Sequence, residues 1–305
     1  MKSTHSRVRG RAYGSNLGIF LFLLPGVGLY TALMLYPTLV SFVYSVVQWQ
    51  ALRPTTEFVG FGNYVKLFSD PVILIALSNN LRAWLLYAGV NLPLALVLAF
   101  ALSRKVRGGS LFRLLYYIPN VCAASVLAMV WQFLLTRDYG LNAVLTRLGL
   151  AEYIRPWLST PGIVEWTTNL PQTWARVGFW TVVFLAAISS IPEELYESAQ
   201  LDGANAWHEL RHITLPGIRA VYVSASVLAL VWALDTYIYQ YILTKGGPLH
   251  MSETLVSYTI NTLFDNQNWG YGSALAVFQF GLSAIVAVLL WRFLRRRDQS
   301  VEGKA

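Results

Sequence analysis

The sequence predicts an all-α integral membrane protein of six spans with both termini in the cytoplasm, and three observations lead there. Of its 305 residues, 55% are hydrophobic and 12% charged, and the mean hydropathy is +0.48, the profile of a chain solvated largely by lipid. A helix needs about 20 apolar residues to cross a bilayer. Charge-free windows of that length run over 12–52, 83–103, 114–136 and 266–291, and two further apolar stretches, 166–191 and 217–243, are interrupted by Arg176 and Asp235. Finally, the basic residues are unevenly shared between the connecting segments. The N-terminus holds Lys2, Arg7, Arg9 and Arg11, the second-to-third connection Arg104, Lys105, Arg107 and Arg113, the fourth-to-fifth Arg211 and Arg219, and the C-terminus Arg292, Arg295, Arg296, Arg297 and Lys304. That is 15 of the 23 Lys and Arg residues on one side, which the positive-inside rule makes cytoplasmic. The net charge of +8 therefore follows membrane orientation and lipid contact, not nucleic acid.

The spans are set at 17–47, 81–103, 114–136, 166–190, 217–243 and 270–294, between basic cytoplasmic tails at 1–16 and 295–305, with a cytoplasmic loop at 190–216. The first is too long for the 7 to 15 residue apolar region of a signal peptide and lacks an A-x-A cleavage pattern, so it is read as a span, broken by Pro25 and Pro37. The outer loop from 48 to 80 carries FVGFGNYVKLFSDP, read either as a contact for an outer partner or as an interfacial helix rich in aromatics. Spans two and three contain Pro93 and Pro119, and the third holds Cys122, the only cysteine, expected to be buried packing. The second outer segment, 137–165, shows no chemistry.

The 190–216 loop is a polar island with five of the fifteen acids: Glu193, Glu194, Glu197, Asp202 and Glu209. Ser190 with Glu193 has capping-box spacing, and Pro192 suits a first helical turn. A helix over 193–202 should stop at Gly203, and a second from about 205 to 214 should end before Pro216. Leu195 with Ala199, and Trp207 with Leu210 and Thr214, should form their apolar faces. Acids gain no topological advantage on a cytoplasmic face, so they point to a basic partner there.

Glu197-Ser198-Ala199, then Asp202-Gly203, then Ile213-Thr214-Leu215-Pro216 resembles the EAA loop of bacterial ABC importer permeases, with Ser198 in place of the middle alanine. The resemblance implies a type I importer permease architecture in which Glu197, Ser198, Ala199, Asp202, Gly203, Ile213, Leu215 and Pro216 form the coupling helix that docks on a cytoplasmic ATPase. It implies as partners a second, similar permease, two ATPase subunits holding ATP and Mg, and an extracytoplasmic binding protein, in the cytoplasmic membrane of a bacterium or archaeon. The stretch from Leu243 through Gly246-Gly247-Pro248, and the ETLVSYTINTLFDNQNWGYGSALAV that follows, resemble maltose-type permeases of the carbohydrate uptake branch. This implies a sugar or oligosaccharide as cargo, with no cofactor bound by this chain and no catalytic residue. The sequence has no G-x-x-x-x-G-K-[ST] phosphate loop, so the energy must come from a partner.

Charges at mid-bilayer usually pair or line a pathway. Arg176 and Asp235 lie at similar depths, at 1.5 Å per helical residue. They are expected either to form an ion pair or to border a polar pathway with Gln172, Phe179, Trp180, Thr236 and Tyr237, whose aromatic faces suit sugar rings. An Asp ahead of the GGP turn is common in the resembling family, which favours a structural role for Asp235.

Two alternatives belong to other classes. His208-Glu209-Leu210-Arg211-His212 fits the H-E-x-x-H zinc motif of a metalloprotease. A catalytic zinc needs a third protein ligand, yet His5 and His250 are remote and Asp202 lies across the Gly203 corner. A gradient-driven secondary transporter should show paired internal repeats, and none is found.

Overall fold

The computed structural model describes residues 16–50, 56–104 and 108–302 and is mostly helical, with one short antiparallel pairing of Val47–Gln48 with Glu57–Phe58. Long apolar helices cover Gly18–Ser45, Pro71–Ser103 and Trp269–Leu289. Three bent helix pairs complete up to six spans: Gly109–Val121 with Ala124–Arg147, Val164–Ile188 with Glu193–Leu201, and Ala206–Gly217 with Arg219–Leu234. Of the expected tails 1–16 and 295–305, residues 1–15 and 303–305 lie outside the described residues, as do Arg53, Lys105 and Arg107, while residues 295–302, expected as tail, continue the helix that begins at Trp269.

Proline does not break the first span. The helix passes through Pro25 and Pro37, with a π-helical turn at Thr31–Leu35. The same device recurs at Tyr87–Asn91 before Pro93 and at Leu210–Thr214 before Pro216. Proline lacks an N–H and its ring presses on the carbonyl four residues back. Widening the preceding turn to i→i+5 relieves that contact while the helix continues.

The second long helix starts ten residues earlier than the expected span. Asp70 accepts a hydrogen bond from the Val72 N–H at 2.9 Å, and Pro71 follows in the first turn, so the start is a capped one. Tyr258 and Tyr271 each donate to Asp70 Oδ2 at 2.6 Å. Burial pushes the Asp70 carboxyl upward, but these two donors, the Val72 N–H and the Lys66 charge outweigh it and hold the pKa below its ordinary value. The third span is likewise two pieces. Cys122, expected to be buried, is exposed at the bend between helices 109–121 and 124–135.

The main core joins Tyr87, Leu96 and Phe100 of the second long helix to Trp180, Phe184 and Ile188 and to Ala225, Ala229 and Ala233. Three alanines at four-residue spacing let helix 219–234 approach closely, as small residues do between membrane helices. Gly178 does the same for helix 170–188, since a Cβ there would stand 1.9 Å from the Tyr116 carbonyl oxygen. Leu210 of the 190–216 loop and Ile218, which precedes helix 219–234, belong to this same core.

Candidate functional site

The 190–216 loop folds as a two-helix hairpin at one end of the bundle. Its first helix is Glu193–Leu201, with Glu193 and Glu194 in the first turn, where carboxylates favour the positive end of the helix dipole. Ser190 is not its cap. The Ser190 hydroxyl donates back to the Ala187 carbonyl at 2.7 Å and closes the preceding helix. Gly203, at φ +80°, donates to the Gln200 carbonyl, and Ala204 donates to the Ala199 carbonyl. This pair of bonds stops the helix and requires a left-handed residue at Gly203.

The second helix is capped by Asn205, whose side chain accepts from the His208 N–H at 3.0 Å. It runs on through Pro216 to Gly217, past the end expected from sequence, because the π turn accommodates the proline. Of the expected apolar face, Leu210 and Thr214 are buried, but Trp207 is 62% exposed. Tyr196 and Thr214 join the two helices through their hydroxyls, 2.9 Å apart. On the outer face Glu197, Ser198, Asp202, Gly203, Leu215 and Pro216 are exposed, while Ala199 and Ile213 are half-buried. Leu201, 90% exposed, stands beside the carboxylates.

Glu209 departs from the expectation of an acid offered to a cytoplasmic partner. It is buried and forms an ion pair with Arg104 of this chain. The H-E-x-x-H match fails for the same reason. His208 and His212 are exposed and stacked on one another, with ring centroids 5.9 Å apart, while Glu209 points into the protein. Among the described residues no group of three metal-binding side chains forms.

Helix 219–234 ends at Leu234 and a new helix starts at Ile238, so the fifth apolar stretch is interrupted at Asp235, Thr236 and Tyr237. Beside the break lies a cavity of about 200 Å³ lined by Gln172, Arg176, Asp235, Thr236 and Tyr237, together with Tyr87 and Trp232. Arg176 and Asp235 share this cavity without forming an ion pair. The Arg176 guanidinium lies over the Trp232 ring, 4.1 Å from its centroid, a cation–π contact. Phe179 and Trp180 do not line the cavity. Both pack against Trp232, Phe179 edge-on, and Trp180 stacks on Phe184. The arrangement offers a cation, a carboxylate, one amide and ring faces to a polar solute.

Breaking a helix inside an apolar region frees backbone carbonyls that need other donors. Asn80 serves Ala233 at 2.6 Å, Gln279 serves Leu234 at 2.9 Å, and Thr254 serves Thr236 at 2.6 Å. Thr236 donates to Gln172 Oε1 at 2.6 Å, and Gln172 and Gln240 both donate to Asn169 Oδ1 at 2.9 Å. Asn80, Asn169, Gln240, Thr254 and Gln279 were not read as site residues from sequence. For Asn79 and Asn80 a signal existed: the Asp70-Pro71 helix start places both amides inside a continuous helix rather than at the end of a loop.

The sequence matches the family described as "Binding-protein-dependent transport system inner membrane component" over residues 91–298. A probable ABC transporter permease of Pyrococcus horikoshii is 33% identical over 272 residues, 89% of this chain and 93% of its own. A diacetylchitobiose uptake system permease of Streptomyces coelicolor is 31% identical over 291 residues, 92% of this chain and 82% of its own. Among solved structures, a bacterial ABC transporter for import of the acidic polysaccharide alginate has a chain of the same fold. Its TM-score is 0.79 at 22% identity, covering 92% of this chain and 96% of that one.

Proposed function

The chain belongs to the family of binding-protein-dependent transport system inner membrane components, and on that premise we propose that it forms half of the pore of an ATP-driven importer for a sugar or oligosaccharide. The other half is a second, similar permease. Two cytoplasmic ATPase subunits bind ATP and Mg, and an extracytoplasmic binding protein delivers the sugar. The complex sits in the cytoplasmic membrane with the 193–217 hairpin inside.

One observation carries this reading: a two-helix hairpin at one end of the bundle presents Glu197 and Asp202 on the same exposed element as Leu201 and Trp207. Apolar side chains held in water next to carboxylates suit a cleft with an apolar floor and a basic rim. The cargo assignment is supported by the relative named as a diacetylchitobiose uptake permease, and by the mixture of ring faces, an amide and charges around Arg176. The test is Glu197→Lys in proteoliposomes holding the whole importer. The two permeases still assemble, and ATP hydrolysis no longer rises when loaded binding protein is added. Undiminished stimulation rejects the docking role.

A further inference from the structure

The hairpin is held to the bundle by more than its covalent links to the neighbouring helices. Glu209 is buried, with its side chain 4% exposed, and its Oε2 pairs with the Arg104 guanidinium. Its Oε1 accepts from Gln200 Nε2 at 3.3 Å. Gln200 belongs to the first hairpin helix and Glu209 to the second, while Arg104 directly follows the last residue of helix 71–103. Three segments therefore meet at one carboxylate. Arg104 is itself oriented, lying 4.6 Å above the Phe100 ring. Its charge stands at a helix C-terminus, where a cation is favoured.

Beside this pair is a cavity of about 580 Å³ lined by Phe100, Arg104, Glu193, Tyr196, Gln200 and Glu209. It hollows out the space between the hairpin and the end of helix 71–103, so the two are not packed wall to wall there. The hairpin is joined covalently to helices 170–188 and 219–234. Helix 71–103 is a separate span, and it carries both Asn80, which holds the broken helix, and Tyr87, which lines the Arg176 cavity.

We infer that Arg104 and Glu209 are positioning residues that tie helix 71–103 to the hairpin, so that a displacement of the hairpin also moves this span and the cavity wall on it. This rests on the reading of the hairpin as the ATPase docking element. A pair that only braced the fold would matter through stability alone. A pair that transmits motion matters to how much uptake each hydrolysed ATP yields.

The experiment uses the reconstituted importer with Arg104→Gln, Glu209→Gln, both together, and the reversed pair Arg104→Glu with Glu209→Arg, measuring uptake and ATP hydrolysis in the same vesicles. The single variants retain the ATPase subunits and binding-protein-stimulated hydrolysis, while uptake per ATP falls on the order of tenfold, within the usual range of coupling effects. The double glutamine variant recovers thermal stability, since no lone charge remains buried, yet its uptake per ATP stays low. The reversed pair restores the ratio. An unchanged ratio in the single variants, a ratio restored by the double glutamine variant, or loss of the ATPase subunits from Arg104→Gln overturns the inference. Glu197→Lys, run in parallel, reports on docking through stimulation of hydrolysis and so separates failure of that reading from failure of this one.

Discussion

Asn80 and Ala233 lie on different helices, and the Asn80 amide donates to the Ala233 carbonyl at 2.6 Å while its own oxygen accepts from the Leu255 N–H at 3.1 Å. One side chain thereby joins helix 71–103, the broken end of helix 219–234 and the start of helix 255–260. The break at residues 235–237 persists because Asn80, Gln279 and Thr254 supply the donors that its carbonyls lose. A straight helix there would carry Asp235 and Thr236 past the cavity instead of holding them at its edge.

Replacing Asn80 with leucine keeps the branched shape of the side chain and removes its bonds to Ala233, Leu234 and Leu255. It leaves the Leu255 N–H without its acceptor, a cost of about 1–3 kcal/mol for buried groups. The expected result is a lower Tm for the detergent-purified protein by scanning calorimetry or fluorimetry. A Tm equal to that of the parent contradicts the bracing role.

Arg176 faces the cavity with Trp232 beneath it and, among the described residues, no carboxylate paired to it. Arg176→Ala is expected to leave membrane abundance near the parent level and to reduce uptake at limiting sugar. A hydrogen bond to a charged group contributes about 1.5–3 kcal/mol, so the loss is on the order of tenfold or more. Arg176→Lys keeps the charge without the planar fork and should fall between the two. Immunoblotting alongside labelled-sugar uptake checks this, and equal loss of abundance and uptake assigns Arg176 to structure.

Glu253, in the segment after the GGP turn, is 1% exposed. Burial raises its pKa, and the bonds from Ser257, Asn261 and His250 only partly offset that. A carboxyl raised above its ordinary value favours the folded state most when neutral. Its contribution is complete below the ordinary carboxyl pKa, near 4.5, and is lost as pH climbs through the shifted value. Lowering the pH from neutrality towards about 4.5 should therefore strengthen this contribution to the Tm, and Glu253→Gln should remove that pH dependence. An equal dependence in the variant places the titration elsewhere.

The sequence by itself determined what depends on neighbours within a few residues or on the length of an apolar run. The hairpin shows this: Glu193 begins a helix after Pro192, and Gly203 ends it because only a residue at ease with φ +80° closes that turn. The apolar windows likewise located helices long enough to cross a membrane. Tertiary structure decided the rest. Ser190 had two helices within reach, and the packed chain gave its hydroxyl to the earlier one. Arg176 and Asp235 matched in depth, yet backbone bonds from Asn80, Gln279 and Thr254 stabilise a break that sets Asp235 at a helix end, while Trp232 takes the guanidinium. Arg104 and Glu209 are 105 positions apart and Asn80 and Ala233 are 153 apart. No local rule acts over such separations, because a buried polar group takes whichever partner the fold brings within hydrogen-bonding distance.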